Sequence, residues 1–297
     1  MNESRQEPSN ALAAANRRPS VMLLGSDQSS VKAALSRIRP ILAEHATIVL
    51  EDFTFQQDLK SIEADFALVL GGDGTILRSA RQMGIRQRPV LGVNLGKLGF
   101  LADLSVDALI KVFADVCAGK FSVIDHLMLA CRVERDGQPI IDRLGLNEVA
   151  VLGGPPYSIM DVDLYVDAEL VTTYSCDGLI ISTPVGSTAH SLSAGGPILR
   201  KNLQAFVVSP ISPHTLTVRP VVDTADRVYE MVVKEPNADT SVVVDGEMLQ
   251  VLTPRDRVIV RRAEPQFQLI EVSGHSYYRT LRNKLGWGGR IQLVQDD

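Results

Sequence analysis

Phe66-Ala67-Leu68-Val69-Leu70-Gly71-Gly72-Asp73-Gly74-Thr75-Ile76-Leu77-Arg78-Ser79-Ala80 decides how the rest of the chain is read. Phe66 to Leu70 is a short apolar run of strand length. Ile76, Leu77 and Ala80 then recur at helical spacing. Between them lie Gly71, Gly72, Asp73, Gly74 and Thr75. Strand, glycine turn and helix start make a phosphate-binding geometry, because bare backbone N–H groups and a helix N-terminus both favour anionic oxygens. Asp73 is the anomaly, since an anion trap gains nothing from a carboxylate. A site that removes a proton from a hydroxyl beside a phosphate, or that holds a metal ion on that phosphate, does gain from it. The competing reading is a tight turn with an Asp N-cap. No Lys-Ser or Lys-Thr follows the last glycine, so the turn is not a Walker loop, and it is not the dinucleotide G-x-G-x-x-G fingerprint.

Outward from this turn, strands and helices alternate. Ser20–Gly25 reads as a first strand and Ser30–Glu44 as a helix with Val31, Leu35, Ile38 and Leu42 on one face and Pro40 as a kink point. Thr47–Leu50 and Pro89–Val93 are further strands. The helix after the glycine turn runs to about Gly84, a C-cap. Asn94–Leu101, with Gly96 and Gly99, forms a second loop at the same sheet edge, and Val106–Ala118 is another helix. Such alternation predicts a doubly wound, mostly parallel sheet with ligands at the carboxyl ends of its strands.

After about Phe121 the rhythm changes. Strands are predicted at Leu127–Glu134, Asn147–Leu152, Ile159–Val166, Leu179–Ser182, Phe206–Ser209, Thr215–Arg219, Val228–Val233, Ser241–Val244, Val258–Arg261 and Phe267–Val272. Asp136-Gly137 is a hairpin signal. This spacing predicts an all-β sandwich. The expected organisation is a disordered tail over 1–19, an α/β domain over 20–121 and a β domain over 122–275. A helix over Ser276–Leu285, followed by Trp287, ends the chain, and its small-molecule site is expected between the two domains.

The chain has 297 residues, 22% of them charged, and a net charge of −5. That balance gives no support to general nucleic-acid binding. No apolar run reaches membrane length, and the N-terminal segment has no apolar h-region of a signal peptide. Cys117, Cys131 and Cys176 are far apart with no C-x-x-C spacing, which suits a reducing cytoplasm. His45, His126, His190, His214 and His275 show no ligand spacing, so no structural Zn²⁺ site is expected.

Two further segments carry chemistry. Asn147-Glu148 sits between Leu146 and Val149; it is either a solvated strand end or a pair that recognises a base edge or a ribose hydroxyl. Asp177–Leu199 is dense in Gly, Ser and Thr, with Ser187 and Thr188 predicted to cap a short helix over Ala189–Ala194.

Gly71–Thr75, Asn94–Leu101, Asn147-Glu148, Asp177–Pro197, Pro213–Pro220 and Tyr278–Trp287 occur in this order, and together they resemble the bacterial NAD kinase family. The resemblance covers roughly residues 20–290. Diacylglycerol, sphingosine and some phosphofructokinases share the glycine turn; they are not expected to carry Ser182–Ala189 and Arg219-Pro220 in this arrangement. The resemblance implies an α/β domain followed by a β-sandwich, with the C-terminal segment 276–297 returning to the first domain. It implies a kinase that phosphorylates the 2′-hydroxyl of the adenosine ribose of NAD to give NADP. The donor is ATP or another phosphoryl donor, with a divalent cation such as Mg²⁺ or Mn²⁺. Homodimers or homotetramers are implied, in the cytoplasm, with no nucleic-acid or membrane partner.

Carried over residue by residue, the resemblance makes Asp73 the base and Gly71, Gly72, Gly74 and Thr75 the phosphate loop. Arg78 is placed to reach a phosphate. Asn147 and Glu148 hold the adenosine part. Thr188, Ala189, His190, Ser191, Leu192 and Ser193 line the dinucleotide site, and Asp177 meets the nicotinamide-side carboxamide or ribose. Arg219 supports the pocket or a subunit contact. Three positions depart from the family: His190 stands where Tyr is common, Ser175 where several members carry Arg, and Glu247 where Gln is frequent. These bear on affinity and on donor or acceptor preference. The alternatives are a lipid or sugar kinase sharing the turn, or an NAD-binding sensor without turnover.

Overall fold

The computed structural model describes residues 17–96, 99–215, 217–272 and 277–286. Residues 1–16, most of the expected tail, lie outside the described residues, as do Ser276, Trp287 and the end of the chain. The chain forms two compact units, one of residues up to 79, 88–124 and from 268, the other of 80–87 and 125–267.

The first unit is built on β1 (Ser20–Gly25), β2 (Thr47–Asp52), β3 (Phe66–Leu70) and β4 (Val90–Val93). It also contains the helices α1 (Ser29–His45), α2 (Asp73–Met83, whose last turn belongs to the second unit) and α3 (Val106–Cys117). β1 pairs in parallel with both β2 and β3, and β3 pairs in parallel with β4. Central strands covered on both faces need continuous apolar sequence, and Phe66 to Leu70 are all fully buried. One face, with Val21, Leu23, Phe66, Leu68, Leu91 and Val93, packs on Val31, Leu35, Ile38 and Leu42 of α1 and Leu109, Phe113 and Val116 of α3. On the other face Ile76 of α2 lies against Gly92, where a Cβ would sit 2.7 Å from its methyl carbon. Helices therefore cover both faces, as the alternation predicts. α1 runs through Pro40 without a break. α2 ends at Gly84 (φ 60), whose N–H donates to the Ala80 and Arg81 carbonyls, the C-cap expected there.

The second unit holds two six-stranded sheets. Its central strands are β6 (Leu129–Arg135), β8 (Glu148–Leu152), β9 (Met160–Val166), β11 (Gly178–Ser182), β12 (Ala205–Ile211), β14 (Tyr229–Val233), β15 (Ser241–Val244) and β17 (Asp256–Arg262). One sheet runs β9-β14-β17-β6 through its centre, the other β12-β11-β8-β15. Alternate residues of both, such as Cys131, Val162 and Val258 from one and Val151, Ile181 and Val208 from the other, form one core. Phe206 and Tyr229 meet edge to face across it, 5.7 Å apart. That is a sandwich.

The departures from the sequence reading are local. β7 (Gln138–Gly145), β10 (Glu169–Cys176), β13 (Val221–Thr224) and β16 (Glu247–Val251) are the outer strands of the two sheets, and no strand is predicted for their ranges. β10 is exposed along its first five residues, so it lacks the alternation that betrays a strand. Thr215–Arg219, predicted as a strand, has no strand structure among its described residues; the strand begins at Val221. β18 (Phe267–Glu271) pairs in parallel with β4 at Leu269 and Val90 and joins the first sheet beside β5 (Ser122–His126). It is not one of the antiparallel strands, although five residues of alternation look the same in either sheet.

Candidate active site

Gly71 N–H donates to the Val93 carbonyl (2.9 Å) as the chain leaves β3, which ties the glycine turn to the end of β4. A Cβ on Gly71 would lie 2.3 Å from Thr75 Oγ1, so the turn closes only around glycine. Gly72 O accepts from Thr75 N (3.0 Å) and Ile76 N (3.3 Å), and α2 starts at Asp73. In an α-helix the first N–H groups have no partner within the helix. A Cβ on Gly72 or on Gly74 would meet nothing within 4 Å. Neither glycine is demanded by packing of the chain on itself, and the space above both is open to a ligand.

The Asp73 carboxylate is wrapped by the second glycine loop. Phe100 N–H donates to Oδ2 (2.7 Å), and Leu101 N–H (2.9 Å) and Ala102 N–H (3.0 Å) donate to Oδ1. Gly99 makes this possible, because a Cβ there would stand 2.1 Å from Asp73 Oδ1. Asn94 shapes the same loop: its amide donates to the Ala102 carbonyl (3.1 Å) and its oxygen accepts from Gly96 N (2.7 Å). Lys284, on α5 (Tyr277–Leu285), brings Nζ to 3.8 Å from Oδ2 and lies 4.0 Å over the Phe100 ring. A carboxylate has about four acceptor sites. Among the described residues Oδ1 is filled by two amides, whereas Oδ2 takes one amide and a distant ammonium. Oδ2 is therefore the oxygen free to take a hydroxyl proton or to touch a cation. Arg78 is exposed, with its guanidinium 4.2 Å over the Phe55 ring.

In the second unit the Asn147-Glu148 pair is organised by a residue that no sequence motif singles out. Asp245, at the Asp245-Gly246 turn between β15 and β16, accepts from Leu146 N (2.8 Å), Asn147 N (2.8 Å) and Glu148 N (3.2 Å). Asp-Gly is the ordinary sequence of such a tight turn (φ 49 and 77), so the carboxylate's role is hidden behind a turn signal. Glu148 is 7% exposed, and its Oε2 has no hydrogen-bond partner among the described residues. Burial first, and the neighbouring Asp245 second, push its carboxyl up to about 8, while the His190 backbone N–H opposes the rise. Burial raises Asp245 as well, against its three amides and the charge of Arg81. Glu247 ion-pairs with Arg81 and has Arg143 Nη2 at 3.7 Å. A carboxylate at that position thus has two cations to answer it.

The segment 183–199 is packed on the same strand end. Thr183 N donates to the Asn147 carbonyl (2.8 Å) and Thr183 Oγ1 to Leu146 O (2.6 Å). A Cβ on Gly186 would lie 2.2 Å from Asn147 O. The predicted caps are not formed. A 3₁₀ turn spans Gly186–Thr188, and α4 (His190–Ser193) has no side-chain cap. Ser187 Oγ donates to Pro184 O (2.6 Å) and accepts from Leu199 N (2.9 Å), and Thr188 Oγ1 donates to Val185 O (3.0 Å). Ser191 is buried and bonded to Ser209 (2.9 Å). The small hydroxyls serve the backbone that made them necessary, which leaves His190 and Ser193 exposed and Ala189 and Leu192 half-buried. Ser175 hydrogen-bonds Asp161, and exposed Asp177 has His214 Nε2 at 3.9 Å. Arg219 donates to the Val218 carbonyl (2.7 Å).

The sequence matches two family models, described as the ATP-NAD kinase N-terminal domain over residues 12–121 and the ATP-NAD kinase C-terminal domain over residues 146–272. A protein of Rhodopirellula baltica named NAD kinase is 54% identical over 280 residues, covering 94% of this chain and 90% of that one. The NAD kinase of Geobacter sulfurreducens is 43% identical, covering 76% and 80%. Among solved structures, an NAD kinase from Archaeoglobus fulgidus in complex with ATP superposes with a TM-score of 0.71 at 26% identity, over 90% of this chain and 97% of that one. A yeast NADH kinase complexed with NADH gives 0.83 at 22% identity, over 95% and 91%, a likeness of fold.

Proposed function

The chain belongs to the NAD kinase family, and from that premise we infer that it moves the terminal phosphoryl group of ATP to the 2′-hydroxyl of the adenosine ribose of NAD, forming NADP. It is a kinase by that membership; the roles of individual residues are our reading. The observation that carries the reading is the Asp73 carboxylate, fixed at the N-terminus of α2 by Phe100, Leu101 and Ala102, with Oδ2 holding one amide and so keeping acceptor capacity.

In this reading Asp73 Oδ2 takes the 2′-hydroxyl proton as that oxygen bonds to the γ-phosphorus. The bond from the γ-phosphorus to the bridging oxygen breaks, and ADP leaves. Phosphoryl transfer depends chiefly on positioning and charge neutralisation. The backbone of Gly71–Thr75 and the start of α2 would supply both to the phosphates, and Arg78 would add a charge. A divalent cation fits this donor set. Mg²⁺ commonly uses one or two carboxylates together with substrate phosphates. Among the described residues no cluster of three His, Cys, Asp or Glu side chains could hold a metal. The cation would rest on the phosphates with Asp73 as the chain's ligand, and when bound it neutralises phosphate charge.

Asn147 and Glu148 would hold the adenosine part. With its carboxyl protonated into the neutral range, Glu148 can offer a hydrogen to the ligand as well as accept one. Ala189, His190, Leu192 and Ser193 would line the dinucleotide site, with His190 stacking where the family has a tyrosine. Asp177 and Ser175 would meet the nicotinamide side. Homo-oligomers and a cytoplasmic location belong to the same reading; none of the described helices is long and apolar enough to cross a membrane.

A coupled assay of NADP formation tests the assignment of Asp73. Asp73→Asn keeps the acceptor geometry of one oxygen but cannot take the proton. We expect kcat to fall by about 10²–10⁴-fold or more with NAD binding largely kept. Wild-type activity in the variant would overturn the role of Asp73.

A further inference from the structure

Loop 52–58 follows β2 and takes no part in the phosphoryl transfer set out above. It is built around one buried carboxylate. Asp52, 3% exposed, accepts at Oδ1 from Thr54 N (2.9 Å), Thr54 Oγ1 (3.0 Å) and Phe55 N (2.8 Å), and at Oδ2 from Gln57 N (3.1 Å). These bonds hold Phe55 at φ 60, a left-handed conformation that bulky side chains rarely adopt. Strain of this kind persists only where the surroundings over-determine it, and it tends to mark a functional placement. The result of this placement is that the Phe55 ring lies 4.2 Å from the Arg78 guanidinium carbon.

Arg78 stands four residues after Gly74 on α2, so the two share a helix face. Helical side chains lean toward the N-terminus, the end of α2 that carries the glycine turn, and the space above Gly74 is open. No carboxylate among the described residues pairs with Arg78. A guanidinium held by a ring's π face is held without a hydrogen-bond acceptor, so its N–H donors stay available to an anion. The aromatic ring steadies the cation without spending the donors that a phosphate needs.

We propose that Phe55 is a positioning residue, which holds the Arg78 guanidinium over the glycine turn so that its fork meets the terminal phosphates of ATP. The proposal rests on the reading of the chain as an ATP-dependent NAD kinase and adds the device that orients its phosphate cation. Phe55 does not touch the reacting atoms; Arg78 touches the phosphates.

The test is steady-state kinetics with ATP and NAD varied separately, plus inhibition by inorganic triphosphate, for Phe55→Leu, Phe55→Trp, Arg78→Ala and Phe55→Leu with Arg78→Ala. Phe55→Leu keeps the apolar bulk and loses the ring. It should raise KM for ATP and Ki for triphosphate together, by about three- to fivefold, and leave KM for NAD unchanged. Phe55→Trp should restore both values. Arg78→Ala should weaken both about tenfold or more, and adding Phe55→Leu to it should cost nothing further. Multiplying effects in the double variant, or an equal rise in KM for NAD, would overturn the proposal. A rise in KM for ATP without a rise in Ki for triphosphate would place the ring at the nucleoside and also overturn it. Should Phe55→Leu fail to fold, Arg78→Ala with Phe55→Trp carries the same comparison. Calorimetric binding of triphosphate needs no turnover, so it separates failure of this proposal from failure of the NAD kinase reading, which shows as wild type making no NADP.

Discussion

The two glycine-rich segments of this chain look alike as sequence and differ as structure. In 71–75 two of the glycines face open space, while the carboxylate between them is gripped by amides from a distant loop. In 183–199 two of the three glycines are crowded by the chain itself, Gly186 against Asn147 O and Gly196 against the hydroxyls of Ser191 and Ser209, while Gly195 (φ 82) has open space and serves a left-handed turn. The hydroxyls of Ser187 and Thr188 are turned to carbonyls, and that of Ser191 to Ser209. Small residues thus serve two purposes. They admit a ligand in the first segment, and in the second they let one strand end approach another and so fix Asn147 and Glu148. What a Cβ would meet tells the two uses apart; glycine content does not.

Gly99→Ala attacks the first segment where its own chain is tightest. The added methyl needs space now held by Asp73 Oδ1 at 2.1 Å, with the Ala102 carbonyl at 2.8 Å. Either the carboxylate or the loop must move. A displacement of about 1 Å at the reacting group can lower a rate by about 10². We expect a loss in kcat of that size with KM for NAD little changed. An unaffected kcat would mean that the amide cage does not aim Asp73.

Gly186→Ala is the matching change in the second segment and should act through folding. Its Cβ would overlap the Asn147 carbonyl, a backbone atom that cannot swing aside. Overpacking of this kind costs about 1–3 kcal/mol. Denaturant unfolding should show that loss, and KM for NAD should rise because Asn147 is displaced. If stability holds and only kcat falls, the two segments are not divided as described.

Much of this organisation is legible in the amino-acid sequence. The strand, glycine turn and helix start are contiguous, so local pattern alone locates Asp73, and the second glycine loop falls at the same sheet edge by alternation. The amides that grip Asp73 lie about 27 residues on, and no local signal pairs them with it. The central sandwich strands are readable because both apolar periodicity and burial mark them. The four outer strands β7, β10, β13 and β16 are not, since an edge with solvent on it needs no apolar alternation. Asp245 escapes because a turn aspartate and a buried organising aspartate are the same letters. The caps expected of Ser187 and Thr188 fail because the chain enters α4 through a 3₁₀ turn, which directs both hydroxyls back to carbonyls.

Glu148→Gln sharpens the comparison from the packed side. Burial and Asp245 raise the Glu148 carboxyl in the folded state to about 8 from its ordinary 4.5. The folded chain therefore holds a proton that the unfolded chain has lost. Stability from this group is complete below the unfolded value and declines as pH rises from about 4.5 to about 8, beyond which it is flat. Glu148→Gln should remove that decline. In melting curves taken from pH 5 to 9, the variant should gain on wild type as pH rises. Parallel curves would mean that Glu148 is already ionised in the folded protein.

The smallest expected effect separates the two uses of glycine most directly. Gly74 lies in the first turn of α2 with nothing within 4 Å of a Cβ placed there. Alanine is favoured over glycine within a helix by about 0.5–1 kcal/mol, so Gly74→Ala should leave the melting temperature unchanged or raise it slightly. The same methyl would intrude where an ATP phosphate approaches the backbone, and KM for ATP should rise a few fold while KM for NAD stays put. Stability and donor affinity then move in opposite directions in one variant, which is the signature of a glycine kept for a ligand. A fall in stability would return Gly74 to the structural class of Gly186, and an unchanged KM for ATP would leave the space above the turn without an occupant.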